Sequence, residues 1–214
     1  MNIERTFHRV WISDGPEDVI PPHLDVFWDK LQELHPSGWE FRTWTRKEDL
    51  DWLRCRAVFD AATTHAGRSD VVRAEVVARF GGVYLDCDVE PLRPFDELLE
   101  DPRPFAGWED KRMICNAVFG APAGHPAIEA VVKAMPRWAA RRPGAPPNQQ
   151  TGPHLWTHLW RHRPDVRLFE PVVFFPIHWS NKVALGGPYP PESFAEHKWE
   201  ASWLEAEPPQ RVPR

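Results

Sequence analysis

The stretch Gly67-Arg-Ser-Asp-Val-Val-Arg-Ala-Glu-Val-Val-Ala-Arg-Phe-Gly-Gly-Val-Tyr-Leu-Asp-Cys-Asp-Val-Glu-Pro91 decides the fold. Apolar residues recur at helical spacing from Asp70 to Phe80, and Ser69 is the expected N-cap of this helix. Gly81-Gly82 should end the helix, because glycine readily adopts the left-handed conformation found just past a helix C-terminus. The β-forming residues Val83-Tyr84-Leu85 then predict a short strand that leads directly into a pair of aspartates.

This pair, Asp86 and Asp88, is the chemically informative feature of the stretch. Residues two apart in a strand share a face, so both carboxylates should lie together at the C-terminal end of a buried strand. Open α/β sheets usually bind their ligands at that edge. Hard divalent ions such as Mn²⁺ and Mg²⁺ prefer oxygen ligands. Asp-x-Asp alone has limited specificity, because Asp49-Leu50-Asp51 repeats it in what the sequence indicates is an exposed turn.

Two charged residues of the preceding helix add to the pattern. Asp70 and Arg73 are three apart and therefore share a helix face. A local ion pair is the simplest interpretation of such a spacing. Their place in a valine-rich helix that leads to the paired aspartates also suits a ligand carrying phosphate and hydroxyl groups.

The compound pattern Ser-Asp-x-x-Arg followed by Gly-Gly-x-Tyr-x-Asp-x-Asp, at residues 69–88, resembles the core of the sugar-nucleotide glycosyltransferases of family 32. That family includes fungal Golgi mannosyltransferases and bacterial polysaccharide enzymes, and the large clostridial glucosylating toxins share its core. The fixed order and spacing make this pattern far more specific than Asp-x-Asp. The resemblance implies an α/β fold of the GT-A type, with a Rossmann-like mixed sheet flanked by helices.

The resemblance also implies a reaction. A hexose would pass from a UDP- or GDP-linked sugar to an acceptor hydroxyl, with retention of anomeric configuration and with Mn²⁺ or Mg²⁺ as cofactor. The acceptor would be a glycan, a lipid-linked sugar or a small molecule. The implied catalytic residues are Asp70, Arg73, Asp86 and Asp88. The implied metal ligands are Asp86, Asp88, His197 and Ser202, with Glu200 as an alternative to His197.

Further resemblances to the family place the donor-binding residues along the chain. Phe7 to Ile12 resembles the opening strand whose end lies over the nucleotide base. Asn116 begins a run that resembles a family strand whose asparagine faces the donor sugar, and Thr151-Gly152-Pro153 resembles the family's Thr-Gly-Pro before a helix. His197 to Trp203 resembles a C-terminal segment that closes over metal and diphosphate. Plain structural roles are the alternatives: a core strand, a turn residue, a helix start and a docked aromatic patch. The donor-binding set is Trp11, Ile12, Asp70, Arg73, Tyr84, Asp86, Asn116, Thr151, Gly152, Ser202 and Trp203.

Length and composition bound the remaining possibilities. A chain of 214 residues predicts one domain, with a nucleotide-sugar-binding half at 1–92 and an acceptor half with the closing segment at 93–207. A net charge of −5 without a basic block gives no reason to expect a nucleic-acid partner. Three widely spaced cysteines predict neither a disulfide framework nor a zinc site. With no apolar run of signal or membrane-spanning length, the sequence predicts a cytoplasmic protein without a transmembrane segment.

Periodicity predicts the other elements. Helices are expected at 22–34, 50–62, 124–142 and 154–162, with a short one at 96–100. Strands are expected at 7–12, 39–44, 104–109, 116–121, 166–169 and 172–175, and a loop at 143–150. The helix at 124–142 has Pro126 near its first turn, a position that suits proline.

Two other functions compete with the transferase interpretation. A phosphatase of the haloacid-dehalogenase type also places Asp-x-Asp after a strand, but Glu90 stands where that family has Thr or Val, and the motif is far from the N-terminus. A module that binds a sugar nucleotide or a glycan without turnover would retain the same fold. Donor hydrolysis in the absence of acceptor separates such a module from an enzyme.

Overall fold

The structure is a computed structural model, which describes residues 1–13, 19–45 and 50–200. Its strands are β1 (Thr6–Val10), β2 (Glu40–Trp44), β3 (Gly82–Leu85), β4 (Val89–Pro91), β5 (Phe105–Trp108), β6 (Ile114–Ala121), β7 (Arg167–Phe169) and β8 (Ala195–His197). Its α-helices are α1 (Pro22–Leu34), α2 (Arg56–Ala61), α3 (His65–Phe80), α4 (Pro126–Ala140), α5 (Pro147–Gln150), α6 (Pro153–Trp160) and α7 (Pro171–Phe174). Two 3-10 helices span Asp96–Leu99 and Trp179–Ala184.

The described strands form a six-stranded sheet in the order β2-β1-β3-β6-β5-β7, and β4 pairs with β8 in a separate two-stranded sheet. Strand β6 is antiparallel to both of its neighbours, whereas the other neighbouring pairs of the large sheet are parallel. Helices and hydrophobic clusters cover both faces of the sheet. On β3, Val83 and Leu85 enter the cluster that includes α1 and α7, while Tyr84 enters the cluster of α3, α4 and α6. The predicted mixed α/β sheet flanked by helices is confirmed.

Helix α3 begins earlier than its sequence pattern predicts. The Thr64 hydroxyl accepts a hydrogen bond from the Gly67 amide at 3.1 Å, so Thr64 is the N-cap and the prediction of Ser69 is wrong. Both Thr and Ser favour the N-cap position. Thr64 takes it because its side chain accepts the bond from the Gly67 amide, which has no partner within the helix. Ser69 and Asp70 consequently lie inside the helix, where both are buried.

The Gly-Gly pair ends α3 as predicted. Gly81 has φ +65° and Gly82 has φ +96°, values that side-chain-bearing residues rarely adopt. A Cβ at Gly82 would lie 2.4 Å from the Thr6 carbonyl oxygen, so glycine also allows β3 to approach β1. The helix therefore reverses directly into the strand that leads to the paired aspartates.

Several predicted elements differ from those observed. The run 172–175 is not a strand but lies mostly in α7, because Pro171 favours a first helical turn and Phe174 packs against the rings of Phe105 and Phe169. The predicted loop at 143–150 contains α5. Helix α2 is shorter than predicted, and the pairing of β8 with β4 was not predicted. The helices at 22–34, 124–142 and 154–162 and the other predicted strands are confirmed within a few residues.

Two further predictions concern the chain as a whole. Cys55, Cys87 and Cys115 all lie in the described ranges and are free thiols, as their spacing predicted. Among the helices of the described residues, none is both long and apolar enough to cross a bilayer.

His8 joins three parts of the central sheet. Its Nδ1 accepts a hydrogen bond from the Trp44 indole at 3.0 Å, so the neutral ring carries its proton on Nε2, which donates to the Gly81 carbonyl at 2.8 Å. The ring is fully buried. Burial lowers the pKa of His8 to about 4, because a charged imidazolium would lose solvation and the bond from Trp44.

We expect His8 to make the protein less stable in mild acid. Between pH 6.5 and pH 4 the unfolded histidine binds a proton that the folded one rejects, so stability falls as pH falls. The loss from this group should reach about 2 kcal/mol between pH 7 and pH 5. Urea unfolding of the wild type and of His8→Gln at both pH values measures it. The variant should be weaker at pH 7 yet lose less on acidification, and equal acid losses in the two proteins would contradict the prediction.

Candidate active site

Asp86 and Asp88 come together through a turn between β3 and β4. The Asp86 amide donates to the Ala117 carbonyl at 2.8 Å, which continues the pairing of β3 with β6. The chain then bends, and the Val89 amide donates to the Asp86 carbonyl at 3.1 Å. The expectation that a straight strand presents both carboxylates is therefore wrong, although the two carboxylates do meet, because a tight turn brings them together.

His197 reaches the same place from the other end of the chain. Strand β8 pairs antiparallel with β4, in a register that sets His197 opposite Val89. The Lys198 amide donates to the Asp88 carbonyl at 2.8 Å, and His197 Nε2 lies 3.1 Å from Asp88 Oδ1. One ligand atom each of Asp86, Asp88 and His197 lies within 4.8 Å of the others, a spacing that suits a single metal ion.

The electrostatics of Asp88 and His197 are coupled. Burial opposes the charge on Asp88, but the His197 imidazolium outweighs burial and lowers the pKa of the Asp88 carboxyl. Burial likewise opposes protonation of His197, and Asp88 outweighs it, so the pKa of His197 is raised. His197 Nδ1 is buried and has no hydrogen-bond partner within the described ranges. Two carboxylates and an imidazole with a spare buried nitrogen fit a divalent ion of the Mn²⁺ or Mg²⁺ type.

Arg73 holds Asp86 in place through two contacts between its guanidinium and the Asp86 carboxylate. Its guanidinium nitrogens lie 2.9 and 3.1 Å from the two Asp86 carboxylate oxygens, and the Tyr84 hydroxyl donates to Asp86 at 2.7 Å. Arg73 also donates to the Asn116 carbonyl at 3.1 Å and lies over the Tyr84 ring. Asp86 thus accepts bonds from two fixed side chains, whereas Asp88 faces His197 and the open side of the turn.

Asp70 connects three more of the predicted residues. One carboxylate oxygen accepts a bond from the Asn116 amide at 2.8 Å, and the other accepts one from the Thr151 hydroxyl at 2.8 Å. Arg73 Nε lies 3.5 Å from the first oxygen, as their spacing on the helix predicted. A Cβ at Gly152 would lie 3.0 Å from Asp70, so glycine lets the start of α6 approach this carboxylate. Two segments distant in sequence, at Asn116 and at Thr151-Gly152, therefore converge on a buried aspartate of α3.

The end of β1 borders the Asp86–Asp88 turn. The Cys87 thiol lies 3.6 Å from the Val10 carbonyl, so this half-buried side chain faces β1 rather than the centre of the core. Burial raises the pKa of Cys87 to about 12, which keeps the thiol protonated. Ile12 is in the core, whereas the Trp11 indole N–H is buried and lacks a partner in the part of the chain that the structure describes. An unpaired buried donor beside the turn is compatible with a ligand at this edge.

The structure distinguishes between Glu200 and His197, the two candidate metal ligands near the C-terminus. The Glu200 carboxylate lies 3.1 Å from His23 Nε2, while its backbone amide donates to Asp88 at 3.0 Å. Its side chain is therefore engaged elsewhere, and His197 is the residue grouped with the two aspartates. Ser202 and Trp203 lie outside the described residues.

Two residues near the site were missed by the sequence analysis. Trp199 has its ring centroid 4.1 Å from that of His197 and donates its indole N–H to the Ile177 carbonyl, so it covers the histidine. Glu109 directly follows β5, and burial and the neighbouring Asp110 raise the pKa of its carboxyl, while His197 opposes this shift. The rule that polar residues at strand ends mark the ligand edge would have found Glu109. Trp199 had no such signal, because its position depends on the fold of the C-terminal segment.

We expect Arg73 to be essential for stability. Replacing it with Met would leave Asp70 and Asp86 buried without their cation and should lower the free energy of unfolding by about 3–5 kcal/mol. Arg56 is a matched control, because it also pairs with two aspartates, Asp51 and Asp60, but on the surface. Arg56→Met should have little effect. Urea unfolding of both variants tests the prediction, which would be wrong if they lost the same small amount.

Comparison with known proteins agrees with this geometry. Residues 29–104 match the model of the family described as "Glycosyltransferase sugar-binding region containing DXD motif". Inositol phosphoceramide mannosyltransferase 3 of Schizosaccharomyces pombe is 31% identical over 148 residues, which cover 64% of this chain and 38% of that protein. Mannosyl phosphorylinositol ceramide synthase SUR1 of Saccharomyces cerevisiae is 26% identical over 140 residues, covering 62% and 35%. The chain thus spans less than half the length of these curated relatives.

Solved structures share the fold. The PaToxG glycosyltransferase superposes with a TM-score of 0.61 at 16% identity, covering 76% of this chain and 71% of that one. The apo form of GlyE from Streptococcus pneumoniae TIGR4 has a TM-score of 0.51 at 10% identity, covering 80% and 46%. Both the sequence relatives and these structures are glycosyltransferases, in agreement with the predicted class of enzyme. Residues 29–104 therefore match the DXD-containing glycosyltransferase family that the sequence motifs predicted.

Proposed function

We propose that this protein transfers a hexose from a UDP- or GDP-linked sugar to an acceptor hydroxyl, in a reaction that depends on a divalent metal ion. The observation that carries the proposal is the convergence of Asp86, Asp88 and His197 in one small group. This group lies in and beside the segment that matches the family's DXD region. The neighbouring network of Asp70, Arg73, Asn116 and Thr151 supplies polar groups suited to sugar and ribose hydroxyls.

In this proposal Asp88 and His197 hold the ion directly. When bound, Mn²⁺ or Mg²⁺ would neutralise the diphosphate of the donor and act as a Lewis acid on the leaving group. Asp88 is the primary ligand because its carboxylate accepts bonds only from His197 and the Glu200 amide among the described residues. Asp86 already accepts bonds from Arg73 and Tyr84, which favours contact with the ion through water. Ser202 would add a hydroxyl ligand.

The remaining residues would bind and orient the donor. Asp70, with Asn116 and Thr151 on its two oxygens, presents fixed acceptors and donors to sugar hydroxyls. Arg73 holds a positive charge beside the diphosphate and offsets the negative charge that develops on it. Trp11 and Ile12 would lie on the base side, with Tyr84 and Gly152 lining the sugar pocket and Trp203 closing over the diphosphate. We propose retention of configuration by substitution on one face of the sugar.

The names of the relatives suggest substrates. Several are mannosyltransferases that act on inositol phosphoceramide, so mannose is the first hexose to test and a lipid headgroup the first acceptor. Glycans and small molecules remain acceptors to compare with it. The division into a donor half at 1–92 and an acceptor half at 93–207, and the cytoplasmic location, also stay predictions.

A thermal-shift panel of UDP- and GDP-sugars tests donor binding. A sugar present at 100 times its dissociation constant adds about 2.7 kcal/mol, which should raise the melting temperature by about 5–10 °C. We expect one nucleotide sugar to do so with Mn²⁺ and not with EDTA. Asp88→Asn should abolish the shift, because it removes a charged ligand.

Asp51→Asn is the matched control for this experiment. Asp51 belongs to the second Asp-x-Asp of the chain and is exposed beside Arg56, so the substitution should leave the shift intact. No shift with any donor, or an equal shift in Asp88→Asn, would refute the proposed donor site. Slow release of UDP or GDP without acceptor would show turnover, and binding without release would indicate the non-catalytic alternative.

The choice between His197 and Glu200 has its own test. His197→Ala should weaken Mn²⁺ binding by tenfold or more, because it removes one ligand. Glu200→Gln should leave it nearly unchanged, because the Glu200 carboxylate lies against His23 and only its backbone amide reaches Asp88. Isothermal titration with Mn²⁺ alone measures both affinities. The reverse order of effects would assign the ligand to Glu200.

A further inference from the structure

One long segment of this acidic chain carries no acidic residue. Residues 130–164 contain no Asp or Glu, and their cations are Lys133, Arg137, Arg141, Arg142, Arg161 and Arg163. The whole chain has a net charge of −5, so the residues outside 130–164 carry a more negative net charge than the whole chain. Such an asymmetry between parts of one domain points to a charged partner on one side.

The fold arranges these cations in a stripe. Lys133, Arg137 and Arg141 are four residues apart along α4 and at its C-terminal end, so they share one face of the helix. All three side chains are exposed. Glu129, one turn earlier, is half-buried and pairs with Arg54. The stripe therefore begins where the acidic residues of α4 end.

Helix α6 adds a second stripe beside the first. His154 and His158 are exposed and four apart, and Arg161 with His162 continues the exposed face past the helix end. Helices α4 and α6 pack against each other, and the rings of Trp138 and His158 lie 4.9 Å apart between the stripes. The two stripes form one broad face, which we call the α4–α6 basic face.

Four cations of this face lack acidic partners among the residues that the structure describes. No carboxylate within residues 1–13, 19–45 and 50–200 forms an ion pair with Lys133, Arg137, Arg141 or Arg161. Elsewhere Arg56 pairs with Asp60, Arg93 with Glu97, and Arg103 with Asp101, whereas the exposed Arg79 and Arg112 form no ion pair with a described carboxylate. The α4–α6 basic face thus combines exposed cations that have no described carboxylate partner with a segment that contains no acidic residue.

An aromatic side chain lies within the face. Trp138 is half-buried, Arg142 stacks over its ring at 3.5 Å, and its indole donates to the Gln149 carbonyl at 2.9 Å. An amphipathic tryptophan beside unpaired cations is typical of a surface that meets lipid headgroups.

We propose that the α4–α6 basic face docks the protein onto a bilayer that carries anionic phospholipids. Each cation near such a surface contributes an attraction that decays within a Debye length. A flat bilayer contacts one side of a protein only, so the acidic remainder of the chain stays away from the anionic lipids. This feature favours a membrane over a nucleic acid, whose phosphates would also approach the acidic sides.

Co-sedimentation with vesicles tests the proposal without any donor, acceptor or metal, so its outcome is independent of the proposed transferase activity. The protein should bind vesicles of phosphatidylcholine with 30% phosphatidylserine, and not pure phosphatidylcholine. Binding should weaken as NaCl rises from 50 to 300 mM. Lys133→Gln, Arg137→Gln and Arg141→Gln combined should weaken it on the order of a hundredfold.

A matched triple variant keeps the change of charge constant. Arg56→Gln, Arg93→Gln and Arg103→Gln remove three exposed cations from other faces, and binding should then fall by less than threefold. Equal losses in the two triple variants, or equal binding to neutral vesicles, would overturn the proposal. Displacement from the vesicles by single-stranded RNA at an equal phosphate concentration would overturn it in favour of a nucleic acid. Thermal melts of both variants check that the fold is retained.

Discussion

A buried guanidinium is the constraint on which the rest of this structure depends. Arg73 lies between Asp70 on its own helix and Asp86 at the end of the neighbouring strand. Two carboxylates cannot be buried so close together unless a fixed cation offsets their charges. The Gly81-Gly82 reversal makes this geometry possible, because it returns the chain from α3 along β1 and sets Asp86 beside the helix face that carries Arg73.

The group of Asp86, Asp88 and His197 depends in addition on a long-range pairing between two short strands. Strand β8 brings His197 to Asp88, and a cluster of charges holds the two short strands together. Lys198 lies 2.6 Å from Glu90 on β4, and Lys30 of α1 lies 2.6 Å from the same carboxylate. Burial disfavours the charge on Lys198, but Glu196 and Glu90 outweigh it and raise its pKa. With three-residue strands, backbone pairing alone gives little stability, so these ion pairs and Trp199 help to fix His197.

The sequence could predict what is local and could not predict what is brought together from a distance. Periodicity was sufficient for α1 and α4, where one face of each helix is apolar, and the β-forming residues were sufficient for β3, which is buried on both faces. It failed for the N-terminus of α3, because Thr64 and Ser69 are both good caps and only the fold selects one. It failed again at residues 172–175, whose valines and phenylalanines favour a strand, because Pro171 begins helix α7 there. His197 and Asn116 were reached only through the family resemblance, and the roles of Ser202 and Trp203 stay predictions.

One segment connects the candidate active site with the α4–α6 basic face. Thr151 donates to Asp70, the neighbouring Gln150 donates to the Arg142 carbonyl, and Gln149 accepts the bond from Trp138. The residues that hold the buried carboxylate are therefore covalently continuous with those that carry the exposed cations. Because these bonds fix α5 against the end of α4, the segment that positions the Thr151 hydroxyl beside Asp70 also supports the residues next to Arg141. A ligand bound at the α4–α6 basic face would therefore contact elements that are hydrogen-bonded to the segment holding the buried Asp70 carboxylate.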